Sequence, residues 1–241
     1  MKLYVVGFGP GGYESMTVNA VETIKSCDLI VGYTTYIDII KEYFPEKTMF
    51  QTAMKKEVDR CRYAIEETVK GQNVAVVCSG DSGIYGLAGL IYELSVEYPP
   101  FEIEVVSGVT AACSGGAVLG APLTHDFAVI SLSDLLTPWE VIEERVKMAA
   151  KADFVIALYN PSSIKRHDYL QKACDLMLGY KSEDTVCGYV RNIGREGEQK
   201  VVCTLKELRE KKVDMFTTVF VGNKSTKEIR NHMVTPRGYH V

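Results

Sequence analysis

The sequence predicts an α/β protein of two domains, each a sheet flanked by helices. Short apolar runs alternate with stretches of helical periodicity along the 241-residue chain, and this alternation is typical of strands and helices that form a mostly parallel sheet. Small, flexible residues between positions 114 and 122 interrupt the pattern. We therefore predict domains at residues 1–117 and 118–241, and a cleft between two domains is a common place for a ligand.

The elements of the first domain follow from local patterns. Strands are predicted at residues 3–6, 28–32, 74–78 and 103–106. Helices are predicted after Thr17 and over residues 58–69 and 87–94. Thr17 is a suitable N-cap residue for the first helix. Gly71 stands where the second helix should end, because glycine readily adopts the left-handed conformation that follows a helix.

The second domain is predicted in the same way. Strands are expected at residues 127–132, 154–159, 185–190, 200–203 and 217–221, the last of which closes the sheet. A helix is expected over residues 169–178, and another should start with Thr137 as N-cap and Pro138 in its first position. The polar segment 192–199 between two strands indicates a hairpin with a long loop. Thr204 and Glu207 form a capping-box pattern that opens a short helix.

Charge and hydropathy exclude several classes of function. The formal net charge is −4, so no overall positive field would attract nucleic acid. No apolar run approaches the roughly 18 residues of a membrane-spanning helix. The first residues run directly into a strand without an apolar leader pattern, and we expect a cytoplasmic protein.

The seven cysteines are odd in number and scattered, and no two form a C-x-x-C pair. This distribution fits neither a disulfide framework nor a zinc or iron–sulfur site. Cys78 and Cys203 fall in strand-like runs, where a free cysteine behaves as a small core residue. We expect no bound metal.

The glycine loop at residues 7–12 allows two interpretations: it belongs to a dinucleotide site, or, as Pro10 and the polar stretch before Thr17 suggest, it is part of a longer loop that binds another ligand. Its sequence, GFGPGG, satisfies the G-x-G-x-x-G fingerprint of a dinucleotide site. That site also requires an acidic residue at the end of the second strand, which would bind the ribose. The second strand ends at Gly32-Tyr33, and Asp28 lies at its other end. The first helix also starts late, and these features disfavour an NAD-dependent oxidoreductase.

Two further segments place glycines and polar side chains at predicted strand ends. Residues 79–86 read SGDSGIYG, and residues 107–112 read SGVTAA. The carboxyl ends of strands in open α/β sheets are where ligands bind. Asp81 either caps the next helix or binds a ligand, and Thr110 is either a hydroxyl in the first turn of a helix or a ligand contact.

Taken together, these segments resemble the tetrapyrrole (corrin and porphyrin) methyltransferases that use S-adenosylmethionine, over essentially the whole chain. The resemblance rests on residues 6–11, 79–86, 108–112 and 158–161. Residues 125–139, 188–195 and 233–239 are similar to the branch of the family that methylates C-17 of the macrocycle. The chain departs from many members at Ser82, where they carry proline.

The resemblance implies the two-domain tetrapyrrole methyltransferase fold (class III among S-adenosylmethionine-dependent methyltransferases), with the active site in the interdomain cleft. It also implies a homodimer and a corrinoid substrate of cobalamin biosynthesis. The residues that it implicates in binding the methyl donor are Pro10, Gly80, Asp81, Ile84, Thr110, Ala111, Tyr159, Asn160, Thr217 and Thr218. A non-catalytic tetrapyrrole carrier with the same fold, or another corrin-ring methyltransferase of the pathway, is the alternative.

The C-17 branch also contracts the macrocycle, which requires proton transfer and carbonyl polarisation. The catalytic candidates are His125, Asp126 and Arg191, although His125 is equally well explained as a structural histidine. Corrinoid precursors carry many carboxylates, which arginine binds bidentately. The candidate substrate-binding residues are Gly9, Ser131, Ser133, Arg191 and Arg195, and the arginines are otherwise part of a solvated basic loop.

Overall fold

The computed structural model describes residues 1–163 and 165–239. The chain divides into two compact units, Met1–Ala111 and Ala112–Val241, which we call unit 1 and unit 2. The division falls in the first turn of a helix, Ala111–Leu119, whereas the boundary predicted at 117/118 falls near the end of that helix.

Unit 1 is a five-stranded sheet with helices on both faces. Its elements are β1 (Lys2–Gly7), α1 (Val18–Ser26), β2 (Leu29–Tyr33), α2 (Thr34–Ile40), β3 (Thr48–Thr52), α3 (Glu57–Val69), β4 (Val74–Cys78), α4 (Ala88–Ser95) and β5 (Glu102–Val106). A single 3₁₀ turn, Tyr13–Ser15, separates β1 from α1. The strand order is β3-β2-β4-β1-β5, and all neighbours are parallel, as predicted.

The core of unit 1 lies on the two faces of this sheet. Alternate residues of β1 serve different faces: Leu3 and Val5 pack with α3 and α4, while Val6 packs with α1 and α2. The predicted helix signals are confirmed. The Thr17 side chain accepts a hydrogen bond from the Ala20 N–H at 3.1 Å, and Gly71 follows α3 with φ of +112°.

Unit 2 begins within α5 (Ala111–Leu119) and contains two sheets. Its other elements are β6 (Gly120–Ala121), β7 (Phe127–Ser131), α6 (Trp139–Lys151), β8 (Val155–Tyr159), α7 (Tyr169–Leu178), β9 (Val186–Arg191), β10 (Gln199–Thr204), α8 (Leu205–Arg209), β11 (Thr217–Val221), β12 (Lys227–Ile229) and β13 (His232–Val234). The larger sheet has the order β10-β9-β11-β8-β7, and the smaller one β12-β13-β6. In the larger sheet only β7 and β8 pair in parallel.

Unit 2 confirms two of the local predictions and differs from two others. The hairpin of β9 and β10 is confirmed by the antiparallel register of Gln199 with Arg191, and the capping box at Thr204 is present. The expectation that residues 217–221 close the sheet is wrong, because β11 lies in its middle. Helix α6 starts one residue late, so Pro138 is its N-cap residue and not its first helical residue.

Lys181 joins two neighbouring strands of the larger sheet of unit 2, β8 and β11, from inside the protein. Its side chain is only 2% exposed. The Nζ atom donates to the carbonyl oxygens of Phe154 at 3.0 Å and Gly222 at 2.9 Å, and to Asp153 Oδ1 at 3.3 Å. Burial lowers the pKa of Lys181, and Asp153 partly opposes that effect. Since Phe154 precedes β8 and Gly222 follows β11, the lysine fixes the pairing of these strands.

The buried cysteines act as core residues, as expected for Cys78 and Cys203. Burial raises the pKa of the Cys78 thiol to about 11, so it stays protonated near neutral pH. Within residues 1–163 and 165–239, every helix is too short or too polar to cross a lipid bilayer. The same residues contain no group of three His, Cys, Asp or Glu side chains placed to hold a metal ion.

Candidate functional site

The carboxyl ends of the five strands of unit 1 meet at one edge, because all five run in parallel. The loops after β1 and β4 are tied together there. The Gly9 N–H donates to the Gly80 carbonyl oxygen at 3.0 Å, and the Gly80 N–H donates to the Gly9 carbonyl oxygen at 2.8 Å. Both glycines have positive φ, +78° and +71°. A backbone bridge therefore closes the gap between β1 and β4.

Three glycines allow the ends of β1, β4 and β5 to pack backbone against backbone. A Cβ atom added to Gly7 would lie 2.6 Å from the Gly80 carbonyl oxygen. One added to Gly108 would lie 2.2 Å from the same oxygen. Real Cβ atoms do not come so close to a fixed backbone oxygen, so only glycine fits at either position.

Asp81 holds this edge together through both carboxylate oxygens. Its Oδ1 atom accepts from the Gly83 N–H at 2.8 Å, and its Oδ2 atom accepts from the Gly108 N–H at 2.9 Å. Of the two alternatives for Asp81, the helix cap is excluded, since α4 begins at Ala88 with Leu87 as its N-cap residue. Asp81 instead joins the loop after β4 to the end of β5.

The other predicted residues of unit 1 lie along the same edge. Pro10 is buried, and Thr110 and Ala111 are half-buried at the start of α5. A Cβ atom on Gly80 would lie 3.7 Å from Thr110 Cα and 3.8 Å from Ala111 N. Ile84 is 38% exposed. The structure therefore brings the predicted residues of this unit together.

The second strand of unit 1 carries no acidic residue at its carboxyl end, as the sequence indicates. Its carboxyl end is Tyr33, and Asp28 precedes the strand. The Asp28 carboxylate accepts from the Asn73 N–H at 2.9 Å, at the edge opposite the glycine loops. The acidic residue of a dinucleotide site is thus missing from its required place.

Unit 2 also collects predicted residues at one edge. Strands β8 and β9 both run antiparallel to β11, so their carboxyl ends lie beside its amino end. Tyr159, Arg191 and Thr217 lie at this edge. The Tyr159 hydroxyl accepts from the Ala112 N–H at 2.6 Å, in the first turn of α5.

A hydrogen-bonded network connects Asn160, with φ of +51°, to the loop after β7. Ser131 Oγ accepts from Asn160 Nδ2 at 3.0 Å and from the Ser133 N–H at 3.2 Å. Arg166 donates to Ser133 Oγ at 3.0 Å and to Asp134 Oδ1 at 3.1 Å. No local pattern in the sequence marks Arg166, which comes to this network only through tertiary contacts.

Arg191 is paired with a carboxylate that the sequence did not single out. Its Nε atom donates to Asp214 Oδ2 at 2.7 Å, and Thr217 Oγ1 donates to Asp214 Oδ1 at 2.9 Å. Thr217 and Thr218 are buried, whereas the Arg191 side chain is 47% exposed. Arg195 lies in the following turn, where its N–H donates to the Asn192 carbonyl oxygen.

His125 and Asp126 lie at the opposite edge of the larger sheet of unit 2. The Asp126 carbonyl oxygen accepts from the N–H of Val155, the first residue of β8. His125 Nδ1 accepts from the Asp126 N–H at 2.9 Å, and the two side chains are 43% and 77% exposed. Within unit 2, these two candidates therefore lie at a different edge of the sheet from Arg191.

Comparison with known proteins shows the family to which the chain belongs. A model described as Tetrapyrrole (Corrin/Porphyrin) Methylases matches residues 2–209. The chain belongs to this family. It is 46% identical, over 98% of its length and 99% of the relative, to a Salmonella typhimurium protein named "Probable cobalt-factor III C(17)-methyltransferase". It is 35% identical, over 98% of its length and 96% of the relative, to a Sinorhizobium protein named "Precorrin-3B C(17)-methyltransferase".

A solved structure extends this similarity to the fold. The crystal structure of the methyltransferase CobJ has a TM-score of 0.89 to this tetrapyrrole methylase, with 32% sequence identity. The match covers 97% of this chain and 99% of the other. The two-domain tetrapyrrole methyltransferase fold expected from the sequence is thereby confirmed.

Replacing Asp81 by alanine in this methylase is expected to weaken binding of S-adenosylhomocysteine and also to lower stability. Because both carboxylate oxygens accept backbone N–H groups, their loss should cost about 2–4 kcal/mol. Calorimetry would measure ligand affinity, and urea unfolding would measure stability. Asp38→Ala, which removes an exposed carboxylate paired with Lys41, is the control and should leave both unchanged. If Asp81→Ala matches the wild type in both measurements, Asp81 neither holds this edge together nor contributes to ligand binding.

Proposed function

We propose that this methylase transfers a methyl group from S-adenosylmethionine to C-17 of precorrin-3B or its cobalt form, with ring contraction to precorrin-4 or cobalt-precorrin-4. The reaction belongs to cobalamin biosynthesis. The observation that carries the proposal is the 46% identity, over nearly the full length of both chains, to the relative named a cobalt-factor III C(17)-methyltransferase. The lower identity, 35%, to the precorrin-3B enzyme favours the cobalt form as substrate.

Methyl transfer to carbon is an in-line displacement, so the protein mainly aligns the donor and the acceptor and excludes water. S-adenosylmethionine supplies the methyl group on a sulfonium cation. We assign its binding to Pro10, Gly80, Asp81, Ile84, Thr110 and Ala111 of unit 1 and to Tyr159, Asn160, Thr217 and Thr218 of unit 2. The Asp81 carboxylate has about four lone-pair sites, and two of them accept backbone N–H groups. The remaining sites can accept from the donor's amino group.

The corrinoid carries carboxylates that require cationic partners. We assign Arg191 and Arg195 to these groups, because the terminal nitrogens of a guanidinium match a carboxylate bidentately. Asp214 accepts from the Nε atom of Arg191, and we assign the end of the guanidinium that carries both Nη atoms to a substrate carboxylate. Gly9, Ser131 and Ser133 complete the proposed substrate contacts.

Ring contraction requires a proton carrier and polarisation of a carbonyl group. Arg191 is proposed to polarise the carbonyl oxygen, since it shares an edge of unit 2 with Tyr159 and Thr217. His125 and Asp126 remain proposed proton carriers. Because they lie at the other edge of that sheet, Arg191 is the first residue to test.

The central experiment uses the purified protein with S-adenosylmethionine and precorrin-3B, in metal-free and cobalt forms. Mass spectrometry should detect addition of one methyl group to the cobalt form in preference to the metal-free form. Reactions without donor, and reactions inhibited by S-adenosylhomocysteine, are the controls. Corrinoid binding without methyl transfer would show a carrier, and the absence of both would refute the proposal.

Arg191→Ala is expected to raise the KM for the corrinoid about tenfold, as follows from the loss of one charge-assisted hydrogen bond of about 1.5 kcal/mol. Donor affinity should not change. Arg209→Ala is a matched control, because it breaks a similar ion pair in which Arg209 Nε lies 2.5 Å from Asp175. If donor and corrinoid affinities fall together in Arg191→Ala, the arginine has a structural role.

We also propose that the protein is a cytoplasmic homodimer, as its family resemblance implies. Light scattering after size-exclusion chromatography should give twice the mass of one chain. A monomer at micromolar concentration would contradict the dimer.

A further inference from the structure

We infer that Arg166 is a positioning residue that fixes residues 131–134, which are the last residue of β7 and the loop that follows it, for the reaction. The inference rests on the proposed function, which assigns Ser131 and Ser133 to the substrate and Asn160 to the donor. Arg166 itself contacts neither ligand in this scheme. It acts through the side chains that it holds.

The guanidinium of Arg166 is largely buried, with 13% of the side chain exposed. One nitrogen, Nη1, donates to both Ser133 Oγ and Asp134 Oδ1, at 3.0 and 3.1 Å. The Nε atom is buried and has no hydrogen-bond partner among residues 1–163 and 165–239. A buried donor without a partner is costly and rare in native structures. The hydrogen bonds by which this side chain holds the loop are therefore the two made by Nη1.

A second element holds the same carboxylate. The Tyr169 hydroxyl, at the start of α7, donates to Asp134 Oδ2 at 2.6 Å. This hydrogen bond, together with Arg166, lowers the pKa of the Asp134 carboxyl, so Asp134 is ionised at neutral pH. The Tyr169 ring packs against Trp139 with centroids 4.4 Å apart. Asp134 is thus fixed from two directions.

The hydrogen bonds continue from this anchor to the candidate site. The Ser133 N–H donates to Ser131 Oγ, which also accepts from Asn160 Nδ2. The orientation of Ser131 depends on where residue 133 is held, and Arg166 holds that residue. Asn160 has positive φ, a conformation that asparagine tolerates but that a fixed neighbour must maintain. Loss of Arg166 should release the loop and leave the β-strands intact.

The test measures amide hydrogen exchange and kinetics in the same variants. Arg166→Met should speed exchange in the peptide covering residues 131–137 and raise the KM for the corrinoid at least about fivefold, an effect of the size expected when a charged hydrogen-bond partner is lost. The exchange of residues 155–158 should stay near wild type. Arg166→Lys should restore most of the effect, because the ammonium can still donate to Ser133 and Asp134. Arg145→Met, which removes an exposed arginine from α6, is the control and should match wild type.

The outcomes test the role of Arg166 separately from the proposed function. Unchanged exchange over residues 131–137 in Arg166→Met overturns it, whether or not the protein methylates a corrinoid. Faster exchange with an unchanged corrinoid KM also overturns it, because the loop would then be irrelevant to the substrate. If the wild-type protein does not transfer a methyl group, the proposed function is refuted instead. The exchange data still show whether Arg166 holds the loop.

Discussion

Gly108→Ala is expected to destabilise the protein by about 3 kcal/mol or more, at the upper end of the cost of overpacking. The added Cβ atom would lie 2.2 Å from the Gly80 carbonyl oxygen and 2.4 Å from the Gly7 carbonyl oxygen. Both oxygens belong to backbone fixed by neighbouring strands, so neither can move without breaking the edge. Binding of S-adenosylhomocysteine should be lost as well.

Urea unfolding and calorimetry would measure these two effects. Gly89→Ala is the matched control, because its Cβ atom would have no heavy atom within 4 Å and it lies inside α4. That change should stabilise the protein by about 0.5–1 kcal/mol, since alanine favours the helix. A stable, ligand-binding Gly108→Ala variant would show that the loops do not pack as described.

Lys181→Met is expected to cost about 3–5 kcal/mol, because breaking a buried ion pair leaves its partners without compensation. The methionine side chain fills similar space but cannot donate to the carbonyl oxygens of Phe154 and Gly222, or to Asp153. Chemical unfolding of the purified variant should show a lower midpoint. The loss should be specific to unit 2.

Lys206→Met is the control for this change. Lys206 forms an exposed ion pair with Glu183 at 2.7 Å, and exposed pairs contribute little. The Lys206→Met variant should have the same midpoint of chemical unfolding as the wild type. Equal stability of the Lys181 and Lys206 variants would mean that the buried ammonium does not hold β8 and β11 together.

The parts of the fold that follow from sequence are those with strong local patterns. Strands β4 and β11 were predicted with their observed bounds. Both are fully buried, and β4 reads as a continuous apolar run, while β11 consists of β-branched and aromatic residues that favour strands. Strand β3 was not predicted: its residues are exposed or half-buried, as suits the edge of a sheet. Strand β6 pairs with β13, which lies far away in sequence, and two residues carry no pattern of their own.

The residues of the candidate site also differ in how well the sequence predicts them. Glycines and polar residues at strand ends mark both edges, so the position of Asp81 could be read from the sequence. Its partner at Gly108 could not, because that contact depends on the packing of two loops. Asp214 and Arg166 lie in polar loops that resemble any other. His125 and Asp126 come directly before β7, whereas Tyr159 and Arg191 come at the ends of β8 and β9. The two sets therefore lie at different edges of the sheet, although the sequence put His125, Asp126 and Arg191 forward together.

The order of strands in unit 2 has a consequence for synthesis. Strand β11 lies between β8 and β9, so the two halves of this sheet stay unjoined on the ribosome until residue 221 has emerged. All five strands of unit 1 are made before residue 107, and domains generally fold as units from the amino terminus. A nascent chain arrested near residue 210 should therefore contain a protease-resistant first half and a second half that is still digested.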